Sequence, residues 1–148
     1  MSRFLVIHGP NLNLLGEREP GIYGTDSFDS INTEIKAYAE SLGAQCDIFQ
    51  SNHEGAIIDK LHDARKLYDG VVINAGAYTH YSYAIRDAIA AIKIPVAEVH
   101  LSDIHSRESF RANSVIKDVC ICQISGLGKQ SYMRGIDALL EYEKGEKA

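Results

Sequence analysis

Long apolar runs are missing from this 148-residue chain. Its longest reach only about five residues, where a membrane-spanning helix needs roughly 20. Excess basic charge is missing too. Fifteen Lys and Arg stand against twenty Asp and Glu, a formal charge of −5 with no basic cluster to offset it, which argues against DNA or RNA as partner. Cysteine is scarce and odd in number, three residues, so no disulfide framework is expected. Cys120 and Cys122 read as small apolar residues of a buried strand rather than as metal ligands, and no metal is expected. Met1-Ser2-Arg3 leads into a strand pattern without the apolar core of a signal peptide, which predicts a cytoplasmic protein without membrane partners. Walker A, G-x-S-x-G and H-E-x-x-H patterns are absent, so phosphate, ester and zinc chemistry lose their usual signatures.

What is present is a hydrophobic fraction of 45%, enough for one compact domain over residues 1–148, with a charge-dense tail, Glu143 to Ala148, expected to fray. The apolar pattern switches repeatedly between two periods. Strands are predicted at Phe4–His8, Gln45–Gln50, Gly70–Asn74, Pro95–His100 and Val119–Ser125. Helical stripes lie between and after them: Phe28, Ile31, Ile35, Tyr38, Leu42; Ile57, Leu61, Ala64, Tyr68; Ile85, Ala88, Ile89, Ile92; and Tyr132, Ile136, Leu139, Leu140. Glycines after Leu42 and Asp69 read as helix C′ residues, and Asn52 as the N-cap of the second helix. Alternating β and α units predict a five-stranded parallel sheet covered on both faces, an α/β three-layer sandwich. The polar–apolar alternation of Gln45–Gln50 marks an edge strand. The expected order is therefore 2-1-3-4-5, the flavodoxin-like arrangement.

In such a sheet a ligand sits outside the carboxyl ends of the strands. Those ends are rich in histidines, amides and glycine turns: His8-Gly9-Pro10-Asn11, Gln50-Ser51-Asn52-His53, Asn74 to His80, Glu98 to Ser102, and Ser125 to Gly128. A phosphoryl-accepting receiver domain would need acidic residues where His8-Gly9 and Asn74 stand, and a flavin site would need hydroxyls in Gly9 to Asn13. Gly126-x-Gly128-x-x-Ser131 lacks the acidic ribose partner of a dinucleotide site and reads as a tight turn. Acid–base groups and hydrogen bonders remain. Glu98 and His100 project from the same face of their strand, where the carboxylate can orient the imidazole or favour its charged form. The residues alone leave a second reading open, a strand-end Glu98 beside a structural His100. His80 suits a site or a helix cap, Arg111 an anion site or a solvated surface, and the Leu101-Ser102 N–H groups a carboxylate.

Taken together, these blocks resemble one family. Gly9-Pro10-Asn11-Leu12-Asn13-Leu14-Leu15-Gly16, Arg18, Gly21-x-Tyr23-Gly24, Gln50-Ser51-Asn52, Asn74-x-Gly76-Ala77-Tyr78-Thr79-His80 with Ser82 and Ala84 to Ala88, Glu98-Val99-His100-Leu101-Ser102, and Arg107-Glu108-x-Phe110-Arg111 resemble type II 3-dehydroquinate dehydratases from Phe4 to about Leu140. Ala75, where the family often has proline, and Asp103, where asparagine is common, depart from the pattern.

The resemblance implies loss of water from 3-dehydroquinate to give 3-dehydroshikimate without a cofactor, in a homododecamer built as a tetramer of trimers. It implies that Tyr23 removes the proton next to the ketone and that Arg18 depresses the Tyr23 pKa. Asn11 would help hold a water that stabilises the enolate. His100, ordered by Glu98 and Asn11, would protonate the departing hydroxyl. Asn74 and the backbone at Leu101 and Ser102 would grip the carboxylate, while His80, Arg111 and a neighbouring subunit's Asp87 hold ring hydroxyls. Two other readings are a flavodoxin-like module that binds without turnover and an oligomeric scaffold without activity. The type I counterpart forms a lysine Schiff base, and the strand-end segments hold no lysine outside Gly128-Lys129, so no imine is expected.

Overall fold

The computed structural model describes residues 1–17, 21 and 26–147. Strands β1 (Arg3–His8), β2 (Gln45–Gln50), β3 (Gly70–Asn74), β4 (Val96–Val99) and β5 (Cys122–Ile124) alternate with helices α1 (Phe28–Ser41), α2 (Glu54–Leu67), α3 (Tyr83–Ile92) and α4 (Gln130–Lys147), with α3 lying between β3 and β4 and α4 following β5. Every ladder is parallel, and the sheet order is β2-β1-β3-β4-β5. The order follows from the sequence pattern. β2 is mostly half-buried, as an edge strand is, while β3 is buried at all five of its residues, as a central parallel strand must be.

Successive residues of a strand point to opposite faces, and the apolar ones divide accordingly. Phe4 and Val6 of β1 pack with Ile31 and Ile35 of α1 and with Tyr132, Ile136 and Leu139 of α4. Leu5 and Ile7 pack on the other side with Ile57 and Leu61 of α2 and Ile85 and Ile89 of α3. Helix ends are closed by local chemistry. Ser27 Oγ accepts the Ser30 N–H at 3.1 Å and Ser82 Oγ accepts the Ile85 N–H at 3.0 Å. At the far end of α1, Gly43 takes φ +75°, its N–H reaches Glu40 O at 3.0 Å, and the Ala44 N–H reaches Ala39 O at 2.9 Å. This paired closure needs a left-handed residue and so uses the glycine.

Three local expectations are corrected. β5 is shorter than Val119–Ser125, because only Cys122–Ile124 find ladder partners, in Ala97–Val99, and Lys117–Val119 form a 3-10 turn instead. Cys120 and Cys122 are accordingly half-buried rather than enclosed in a long strand. Gly70 does not cap α2. It opens β3, where a Cβ would stand 2.9 Å from Leu139 Cδ2, so close packing of α4 claims it. Among the described residues no helix is long and apolar enough to cross a membrane.

The register has a direct consequence for function. His8 lies level with Gln50 and Asn74, and Ile73 with Glu98, so the polar strand ends open along one rim.

Candidate active site

The chemistry starts in β4. Glu98 is fully buried, and a buried carboxylate is tolerable only when donors satisfy its oxygens. His100 Nε2 donates to Glu98 Oε2 at 2.6 Å, Gln123 Nε2 to the same oxygen at 3.1 Å, and Ser114 Oγ to Oε1 at 3.0 Å. Glu98 therefore sits in a fixed place and orients the imidazole above it. The reading of Glu98 as an exposed strand end is set aside by its burial. Burial pushes the Cys120 and Cys122 thiols up, and the Glu98 charge adds to the effect, so neither supplies a thiolate at neutral pH.

Above the strand ends lies a cavity of about 90 Å³, lined by Asn11, Asn74, His80, His100, Leu101, Ser102, Arg107 and Arg111 together with Pro10, Leu12, Gly76, Ala77 and Ile104. The volume suits a compact polar ligand and is far below that of a nucleotide site. The Leu101 and Ser102 carbonyls accept the N–H groups of Gly128 at 3.0 Å and Gly126 at 3.1 Å. The Gly126–Gly128 segment is thus a turn that pins the end of β4, with φ of +82° and +58° at its glycines. His80 Nδ1 donates to the Asn113 carbonyl at 2.8 Å, which leaves Nε2 as an acceptor. Burial lowers the His80 pKa against the pull of that hydrogen bond, so the ring is neutral at pH 7. Arg111 is held by Glu108 through its Nε and stacks over Phe110, 4.9 Å from the ring centre.

The β1 end approaches β3 closely. The Gly9 N–H donates to Asn74 O at 2.7 Å, and a Cβ on Gly9 would stand 2.4 Å from Ala75 O. Asn11 takes a left-handed φ of +69° and its N–H donates to Asn52 Oδ1 at 3.0 Å. Gln50 Nε2 braces the same loop, donating to Gly9 O at 3.2 Å and to Asn52 Oδ1 at 3.1 Å. Asn52 is therefore not the N-cap of α2. His53 takes that position without a side-chain bond, because the Asn52 amide is committed to the Asn11 turn.

Residues 2–140 match the family described as dehydroquinase class II. The chain belongs to that family. Over 144 residues it is 55% identical to the 3-dehydroquinate dehydratase of Halothermothrix orenii, with 97% of each chain covered. It is 57% identical over 144 residues to that of Trichodesmium erythraeum, covering 97% of this chain and 96% of the relative. The crystal structure of type II dehydroquinase from Butyrivibrio crossotus superposes with a TM-score of 0.92 at 50% identity, covering 94% of this chain and 97% of that one.

For this class II dehydroquinase family member, the cavity brings together Asn11, Asn74, His80, His100, Leu101, Ser102 and Arg111, with Glu98 directly beneath His100. Asp87 is not among the lining residues. It sits exposed on α3. Arg18 and Tyr23 lie outside the described residues. Four contributors escaped the sequence reading. Arg107 lines the cavity and its Nη1 donates to Ser102 Oγ at 3.4 Å; its place in the Arg107-Glu108-x-Phe110-Arg111 block was the available signal. Ser114 and Gln123 hold Glu98 from separate loop and strand positions that no local motif marks. Tyr132 was legible only as part of an apolar helical stripe, yet its hydroxyl bonds Asn74 Nδ2 at 3.0 Å.

Proposed function

We propose that this chain dehydrates 3-dehydroquinate to 3-dehydroshikimate by an enolate-type elimination. The observation that carries the reading is the convergence of Asn11, Asn74, His80, His100, Ser102 and Arg111 on one small cavity with a buried Glu98–His100 pair at its base. The relatives' shared name points to the same reaction.

In this mechanism Tyr23 takes the proton next to the ketone. A free tyrosine of pKa about 10 is only about 0.1% phenolate at pH 7, and the Arg18 guanidinium enlarges that fraction. The electron pair moves into an enolate, whose oxygen is stabilised through a water held by Asn11. It then expels the hydroxyl β to the ketone, which leaves as water on receiving the Nδ1 proton of His100, whose Nε2 proton is held by Glu98. Glu98 orients that imidazole throughout. The glycine-rich loop carrying Tyr23 closes over the ring as a lid and excludes water while charge builds.

Binding follows from the same geometry. The Gly126–Gly128 turn holds the Leu101 and Ser102 carbonyls, and the N–H groups of that stretch, beside Asn74, are assigned to the substrate carboxylate. Neutral His80 accepts from a ring hydroxyl through Nε2, and Arg111 donates to another. Asp87 completes the site of a neighbouring copy in a homododecamer built as a tetramer of trimers. Its exposure away from its own cavity supports this, as do the exposed Tyr81 and Tyr83 nearby.

No imine forms on this route. Lys129, the lysine adjoining the strand-end segments, is paired with Glu34 at 2.9 Å and Asp26 at 3.5 Å, and the Glu34 bond raises its pKa further from neutrality. The test is to add 3-dehydroquinate to the purified chain, follow the absorbance of the conjugated enone, and repeat with borohydride present. Enone should accumulate in both runs. Failure to form enone rejects the reaction, and borohydride inactivation with mass added to a lysine rejects the imine-free route.

A further inference from the structure

Behind the cavity a chain of buried hydrogen bonds runs across four elements. Asn74 on β3, Tyr132 on α4 and His8 on β1 are respectively 3%, 0% and 0% exposed. Tyr132 Oη lies 3.0 Å from Asn74 Nδ2 and 2.9 Å from His8 Nδ1, and His8 Nε2 lies 2.8 Å from Asn32 Oδ1 on α1. Phe28 closes the His8 ring edge-on, with centroids 4.8 Å apart.

With Asn32 Oδ1 facing the imidazole, the donors and acceptors run in one direction. Asn32 Oδ1 can only accept, so His8 Nε2 carries the proton and Nδ1 is a bare lone pair. The Tyr132 hydroxyl must then donate to Nδ1, and its oxygen is left to accept from Asn74 Nδ2. At the other end of the Asn74 amide, Oδ1 accepts the Gly76 N–H at 3.2 Å. Both ends of the amide are thus held by partners of opposite kind. One N–H of Nδ2 remains for the cavity, and a flip would set oxygen against oxygen at Tyr132 and NH₂ against the Gly76 N–H. Burial lowers the His8 pKa to about 4, so the imidazole stays neutral and the direction holds at physiological pH.

We propose that Tyr132 and His8 are positioning residues that lock the Asn74 amide with its NH₂ toward the substrate carboxylate. The relay selects an anionic acceptor at this corner of the site and rejects a ligand that donates there. Asn32 serves as its terminus. This inference rests on Asn74 gripping the carboxylate, as in the proposed function.

The experiment is a double-mutant cycle on KM and kcat for 3-dehydroquinate with Tyr132→Phe, Asn74→Ala and the pair. Tyr132→Phe removes the acceptor from one end of the amide and leaves only the Gly76 N–H at the other, so Asn74 loses its fixed geometry toward the carboxylate and KM should rise about tenfold with kcat within about twofold of the parent. On the Asn74→Ala background the same change should add less than about twofold, because there is no amide left to orient. If Tyr132→Phe does not yield folded protein, His8→Leu removes the acceptor one step further from Asn74 and should give the same pattern. An unchanged KM in Asn74→Ala alone would reject the carboxylate site and the relay with it. A raised KM in Asn74→Ala combined with no KM change in Tyr132→Phe, or with effects that simply multiply, would reject the relay and leave the site standing.

Discussion

Lowering the pH should expose the buried histidine. The His8 pKa falls from 6.5 to about 4 in the folded chain because burial penalises the imidazolium, with the Asn32 bond opposing. The unfolded chain binds a proton below about 6.5 while the folded chain resists it until about pH 4. The contribution of His8 to stability is therefore full above 6.5, is lost as pH falls through the window, and is constant below it. The whole gap corresponds to roughly 3 kcal/mol, of which about 2 kcal/mol is gone by pH 5. His8→Gln keeps a neutral acceptor for Tyr132 and cannot titrate. Urea unfolding followed by circular dichroism at pH 7.5 and pH 5, at one protein concentration so that association contributes equally, should show the parent midpoint dropping about 1 M further than that of His8→Gln. Carboxylates shift both proteins alike and cancel in the comparison. Parallel loss of stability in the two proteins would mean that His8 is not buried neutral, and the direction assigned to the relay would fall with it.

Further outcomes follow from the same structure. Tyr23→Phe should lower kcat about 10³-fold with KM little changed, and Arg18→Ala should add little on that background, since both act on one proton transfer; losses that multiply would remove Tyr23 as the base. Asp87→Ala should raise KM while each chain's own cavity residues stay intact, and dissociated monomers seen by light scattering should be nearly inactive; a fully active monomer would refute the shared site. Gly9→Ala forces a Cβ to 2.4 Å from Ala75 O, between the backbones of β1 and β3, and should cost about 2 kcal/mol, or some 5 °C in Tm by scanning calorimetry. An unchanged Tm would show that the two strand ends separate easily.

The sequence alone determined the alternation of strands and helices, the covered parallel sheet and its order, because burial on one or two faces leaves a period of 2.0 or 3.6 in the apolar residues. It also determined that the strand ends are polar, and the blocks from Gly9 to Arg111 carried the family. Where single residues do two things, the sequence was silent. Asn52 stands where a helix cap belongs, and only folding shows its amide bonded to Asn11, 41 positions away. Gly70 follows a helix as a cap would, and only the packing of Leu139 shows why it lacks a side chain. Ser114 and Gln123 converge on Glu98 from 16 and 25 positions away, and Tyr132 reaches His8 across 124. A local pattern records which face a residue occupies. It does not record which polar atoms meet once the faces close, and those meetings, formed by β-register and by α4 docking across the sheet, decided the geometry of the site.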